Sequence, residues 1–84
     1  MTEAVRFKAE GVRAGFPDMI LPTPRGKYHS LAIELKRQKG AGGRVSPEQQ
    51  GWIDYLNSQG WLAVVCYGFD EAVEVIMNYL VMEG

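Results

Sequence analysis

The chain has 84 residues, 46% of them hydrophobic and 23% charged, with a formal net charge of −1. That is room for one small domain, a composition too apolar for a disordered chain, and no apolar run near the ~20 residues a membrane-spanning helix needs, so no membrane association is expected. The single cysteine, Cys66, excludes an intrachain disulfide framework and a cysteine-based zinc site, and points to a reducing, cytoplasmic setting.

Residues 1 to 15, MTEAVRFKAEGVRAG, hold no sustained helical period and are interrupted by Gly11 and Gly15. They read as an N-terminal arm, irregular or partly helical, preceding a domain over 16 to 84; with no apolar h-region among them, no secretory signal is expected. The run DMIL, 18 to 21, is a short strand entered through Pro17 and left through Pro22, and TPRGK, 23 to 27, is turn chemistry. The strongest strand is YHSLAIELKR, 28 to 37, where Leu31, Ile33 and Leu35 alternate with Ala32, Glu34 and Lys36. A short link between two strands predicts antiparallel pairing. QKGAGGRV, 38 to 45, is a flexible glycine-rich loop without a phosphate-loop pattern.

A helix then starts at Ser46, with Pro47 at its first position and Gln49 completing a capping box. Trp52, Ile53 and Leu56 form its apolar stripe, and Gly60 its stop. WLAVVCYG, 61 to 68, is a continuous apolar run, expected as a strand buried on both faces. Asp70 is the expected cap of a last helix, 71 to 82, with Val73, Ile76, Met77 and Leu80 facing inward. The order strand, strand, helix, strand, helix predicts an α/β fold: a small mixed sheet flanked by helices, its strand–helix–strand unit a right-handed crossover with parallel strands. So small a sheet favours dimerisation.

Charge is divided along the chain. Through Arg44 there are nine bases and four acids, a net +5; from Val45 onward there are six acids and no base. A basic half suits a polyanion, although the two halves can also neutralise each other in the fold.

Residues two apart in a strand share a face, so Glu34 and Lys36 project together. The hairpin brings Asp18 to the same end of the sheet. Two carboxylates that close repel unless a cation lies between them. Mg²⁺ or Mn²⁺ suits such a pair, with the Leu35 carbonyl as a further oxygen ligand and several waters retained. Lys36 can then hold the attacking water or offset charge growing on a phosphate. Together these groups describe metal-dependent phosphodiester hydrolysis. Taken alone, a Glu-x-Lys pair is better read as a salt bridge on a solvated strand face; Pro17–Asp18 upstream and SPEQQGW downstream shift the weight.

GFPDMILP, LAIELKR, the glycine-rich loop, SPEQQGWIDYLNSQGW and VVCYGFDEAVEVI together resemble the VRR-NUC domain, the virus-type replication-repair branch of the PD-(D/E)xK phosphodiesterases, from about Gly11 to Leu80. The resemblance implies the PD-(D/E)xK, restriction-endonuclease-like core. It implies a Mg²⁺- or Mn²⁺-dependent endonuclease acting on branched DNA such as Holliday junctions, and stand-alone phage members of this kind are homodimers. By the same resemblance Asp18 and Glu34 match the metal carboxylates, Lys36 the catalytic lysine, and Gln50 or Gln49 the glutamine of the helix's first turn, with Gln50 favoured on spacing. The family also carries a glutamate on a preceding helix; Glu3 or Glu10 can take its place, or it lies on sequence outside this chain, or it is lost. The alternative is a non-catalytic module of the same fold that binds DNA or a replication protein.

The remaining candidates are simpler. Arg13, Arg25, Lys27, Arg37, Lys39 and Arg44 are candidate phosphate contacts around the metal end. His29, alone at a strand start, suits a surface role better than catalysis; Cys66 suits a buried apolar role; Trp52 and Trp61 suit packing better than base stacking.

Overall fold

A computed structural model describes residues 6–7, 14–37 and 43–83. The elements are β1 (Arg6–Phe7), β2 (Met19–Leu21), β3 (Leu31–Lys36), α1 (Pro47–Ser58), β4 (Leu62–Tyr67) and α2 (Phe69–Leu80). The sheet order is β1-β2-β3-β4, with β1–β2 and β2–β3 antiparallel and β3–β4 parallel around α1. The mixed sheet and the β-β-α-β-α order of the main body are those the sequence predicts. β1 is the addition. Arg6 pairs with Ile20 and Phe7 with Met19, so part of the expected irregular arm extends the sheet; residues 1–5 and 8–13 lie outside the described residues. Two residues are too few to show a period in sequence.

The alternation in β3 separates two cores. Leu31 and Ile33, each 1% exposed, join Met19, Leu21, Cys66, Ala72 and Tyr79 under α2. Ala32 joins Ile53, Leu56 and Ala63 under α1, with Trp52, Trp61 and Val65 packed alongside. Ala32 and Ala63 are small, which lets α1 sit close on the sheet. The α2 core also closes around a polar group: buried Tyr79 donates its hydroxyl to the Thr23 carbonyl at 2.7 Å, as a buried phenol requires.

The start of α1 follows its sequence signature. The Gln49 N–H donates to Ser46 Oγ at 3.1 Å, and the Ser46 N–H donates to Gln49 Oε1 at 2.9 Å. Gly60, at φ +92, follows the helix. A Cβ there would overlap the His29 ring, which lies 2.5 Å from that position.

β4 is an edge strand, yet it is covered on both faces as its continuous apolar run predicts: Cys66 and Val64 pack under α2, Ala63 and Val65 under α1. The expectations that fail concern the last helix. In α2 the N-cap is Gly68, with no side-chain cap bond, and Asp70 lies within the first turn. Ala72 and Tyr79 are the buried positions, with Val75, Ile76 and Leu80 packed beside them. Val73 and Met77, expected inward, are 40% and 59% exposed. The apolar arc of α2 is wider than one sheet face can cover, and the extra width continues through Phe69 and Val81, both exposed.

Candidate active site

β2 and β3 pair with Met19 opposite Ile33 and Ile20 opposite Ala32. Continued by one residue, that register sets Asp18 opposite Glu34; continued by two, it sets Pro17 opposite Leu35. Directly opposed residues share a face, so the two acids lie together on the α1 side. Asp18 Oδ2 accepts the Leu35 N–H at 2.9 Å. The aspartate side chain thereby takes over a ladder hydrogen bond where the strand begins. Proline has no N–H, so Pro17 brings no ladder donor to the Leu35 carbonyl that this extended register sets opposite it.

Glu34 is only 3% exposed. A carboxylate this deep needs compensation. Gln49 Nε2 donates to its Oε2 at 2.8 Å, and Lys36 Nζ lies 3.6 Å from the same oxygen. Gln49 shares the inward face of α1 with Ile53 and Leu56, four and seven residues on, which aims its amide at β3. Three of the residues singled out from sequence, Asp18, Glu34 and Lys36, thus meet at one end of the sheet.

The favoured choice of Gln50 is corrected. Its amide donates to Asp54 Oδ1 at 2.9 Å on the exposed side of α1. The signal lay in the sequence: the residue at the third helical position closes the capping box and lies in phase with the apolar stripe, and that residue is Gln49.

The basic set is also divided. Arg25 and Lys27 belong to the turn before β3, at the end of the sheet away from Asp18 and Lys36. Arg25 donates Nε to the Leu80 carbonyl at 3.2 Å, where a cation suits the C-terminal end of α2, and Lys27 Nζ lies 5.6 Å from the centre of the Tyr28 ring. They do not flank the end of the sheet that carries Asp18 and Glu34, contrary to the expectation from sequence. Arg37 and Arg44, both exposed, stand at that end, directly after β3 and shortly before α1. Arg13, Lys39, Glu3 and Glu10 lie outside the described residues.

His29 precedes β3 at the distant end, its N–H donating to the Gly60 carbonyl at 2.9 Å. Cys66 is buried in β4, and burial, followed by the nearby Glu71 carboxylate, pushes its thiol pKa up, away from nucleophilic use. Trp52 is held edge-on by Phe16 at 5.0 Å and by Tyr55 at 5.9 Å, and Trp61 packs on the α1 core.

The candidate donors at this end of the sheet are all hard oxygen: the Asp18 and Glu34 carboxylates and the Leu35 carbonyl. No group of three or more His, Cys, Asp or Glu side chains gathers among the described residues. Such a set fits Mg²⁺ or Mn²⁺, which keep waters and need only one or two carboxylates, better than zinc.

Set against known proteins, the family model for the VRR-NUC domain matches residues 2–70. A solved structure named "VRR_NUC domain protein" superposes with a TM-score of 0.87 at 33% sequence identity, over 95% of this chain and 70% of that one. No curated protein matches.

Proposed function

From the premise that this chain belongs to the VRR-NUC domain family, a nuclease-type fold, we propose that it is a Mg²⁺- or Mn²⁺-dependent endonuclease hydrolysing phosphodiester bonds in branched DNA such as Holliday junctions. The observation that carries this reading is the meeting of Asp18, Glu34 and Lys36 on one side of the sheet end. Asp18, Glu34 and the Leu35 carbonyl would hold the ion. When bound, it supplies Lewis-acid polarisation of a phosphoryl oxygen and lowers the pKa of a coordinated water. Lys36, kept beside Glu34, has an ammonium available to orient the attacking water and to offset charge developing on the phosphate oxygens. Arg37 and Arg44 place two further cations where the DNA backbone would pass.

The same reading includes a homodimer. The exposed apolar stripe of α2, Phe69, Val73, Met77 and Val81, supports it as a face of the kind that marks an interaction surface. Paired sites related by a two-fold axis suit two cuts across a four-way junction.

A labelled four-way junction tests the assignment. The wild type is expected to cut with Mn²⁺ or Mg²⁺ and not with chelator present. Glu34→Ala and Lys36→Ala are expected to lose activity by about a hundredfold or more. Equal cutting by all three proteins refutes these roles, and junction binding without metal binding favours the non-catalytic module.

A further inference from the structure

We propose that the first turn of α1 is a gauge that fixes the separation of the two site carboxylates, with Gln49 and Gly15 as its positioning residues. This rests on the nuclease reading for its purpose, but its geometry is independent of any metal.

Glu34 registers on the turn through Gln49. Both ends of that one amide are committed: Oε1 accepts the Ser46 N–H at 2.9 Å, and Nε2 donates to Glu34 Oε2 at 2.8 Å. The capping box therefore dictates which way the amide faces. With its oxygen taken by the helix cap, only its donor can be presented to the sheet. A glutamate at this position would close the cap equally well but would set an acceptor against Glu34. The choice between the two residues that serve a capping box is made here by the carboxylate beyond it.

Asp18 registers on the same turn from the other side. Gly15, at φ +86, lies so close to α1 that a Cβ would come within 2.8 Å of the Glu48 backbone carbon. A side chain is thus excluded by space and by backbone angle. The next residue, Phe16, packs its ring on Trp52 at 5.0 Å, and Pro17 is buried. Gly15 and Phe16 are seated along α1 just ahead of Asp18. Glu48, Gln49 and Trp52, within little more than one helical turn, thereby set the positions of two acids that belong to different strands.

Four variants test this with two readouts, Mn²⁺ titration calorimetry and the melting temperature of the metal-free protein. Gly15→Ala and Gln49→Leu are expected to weaken Mn²⁺ binding by about tenfold, as loss of a ligand's supporting contact does. Ser46→Ala removes the hydroxyl cap but leaves the Gln49–Glu34 contact; it is expected to lower the melting temperature with Mn²⁺ affinity within about twofold of wild type. Gln49→Glu keeps the cap and sets two carboxylates together. It is expected to melt below wild type without metal and to be raised further than wild type by Mn²⁺. If Gly15→Ala and Gln49→Leu lose no more affinity than Ser46→Ala, or if Gln49→Glu melts like wild type with and without Mn²⁺, the gauge is overturned. A wild type that binds no Mn²⁺ refutes the nuclease reading instead, and the metal-free melting of Gln49→Glu still decides the gauge.

Discussion

Pro17 does two things at residue scale. It is buried, on the face of the sheet opposite to that of Asp18, and it has no N–H to offer the Leu35 carbonyl that the extended β2–β3 register sets across from it. Pro17→Ala would restore that donor and let it compete for the carbonyl. The variant is expected to bind Mn²⁺ about tenfold more weakly while keeping the sheet, which calorimetry and circular dichroism measure together. Cys66 gives a pH prediction of known sign. Its thiol pKa is raised by burial and then by Glu71, so less thiolate exists at any given pH than for a free cysteine. A thiol reagent at neutral pH is expected to leave the native chain unlabelled and to label one site per chain after denaturation. The residues of the site were legible to different degrees. Glu34 and Lys36 declared themselves by strand alternation. Asp18 needed only a hairpin. Gln49 was hidden behind its neighbour, because a preference for motif spacing was set above helical phase.

Among the elements, β4 shows how an edge strand is kept from pairing with a stranger. Asn57 places its side chain along the outer edge, donating Nδ2 to the Ala63 carbonyl and accepting the Ala63 N–H, both at 3.0 Å. At the other end Glu71 Oε1 accepts the Tyr67 N–H at 2.7 Å. One amide and one carboxylate stand in for parts of a missing neighbour strand. Asn57→Ala strips Ala63, which is 5% exposed, of both partners. The expected cost is about 1–3 kcal/mol in a urea melt, with increased aggregation. Helix α1 was readable because its signals agree: cap, proline and apolar phase all specify the same start. Helix α2 was misread because they conflict. Asp70 looks like a cap beside Gly68, which takes that position, and the exposed Val73 and Met77 imitate core residues.

For the whole molecule, the sequence yields the strand and helix order and the mixed sheet, since each depends on local pattern. It does not yield which end of the sheet a cation occupies. Arg25 and Lys27 count toward the basic half, yet the hairpin carries them to the far end, where Arg25 donates to the Leu80 carbonyl at the end of α2. Charge along a chain becomes charge across a surface only after folding. The stripe on α2 is likewise a property of the assembled molecule, because it is what remains of an apolar arc once the sheet has covered its share. Light scattering is expected to give a dimer for the wild type and a monomer for Met77→Glu; a wild type that stays monomeric at high concentration removes the dimer from the proposal. The contact between Asp18 and Leu35 carries a last consequence. Neither half of that junction is a trap for a cation on its own, and the amide that steadies Glu34 arrives from a later segment. A chain still leaving the ribosome, or one partly melted, therefore holds no assembled site. On heating, loss of the Mn²⁺ binding proposed for that site should coincide with global unfolding, so that the proposed cleavage is armed only when the fold is complete.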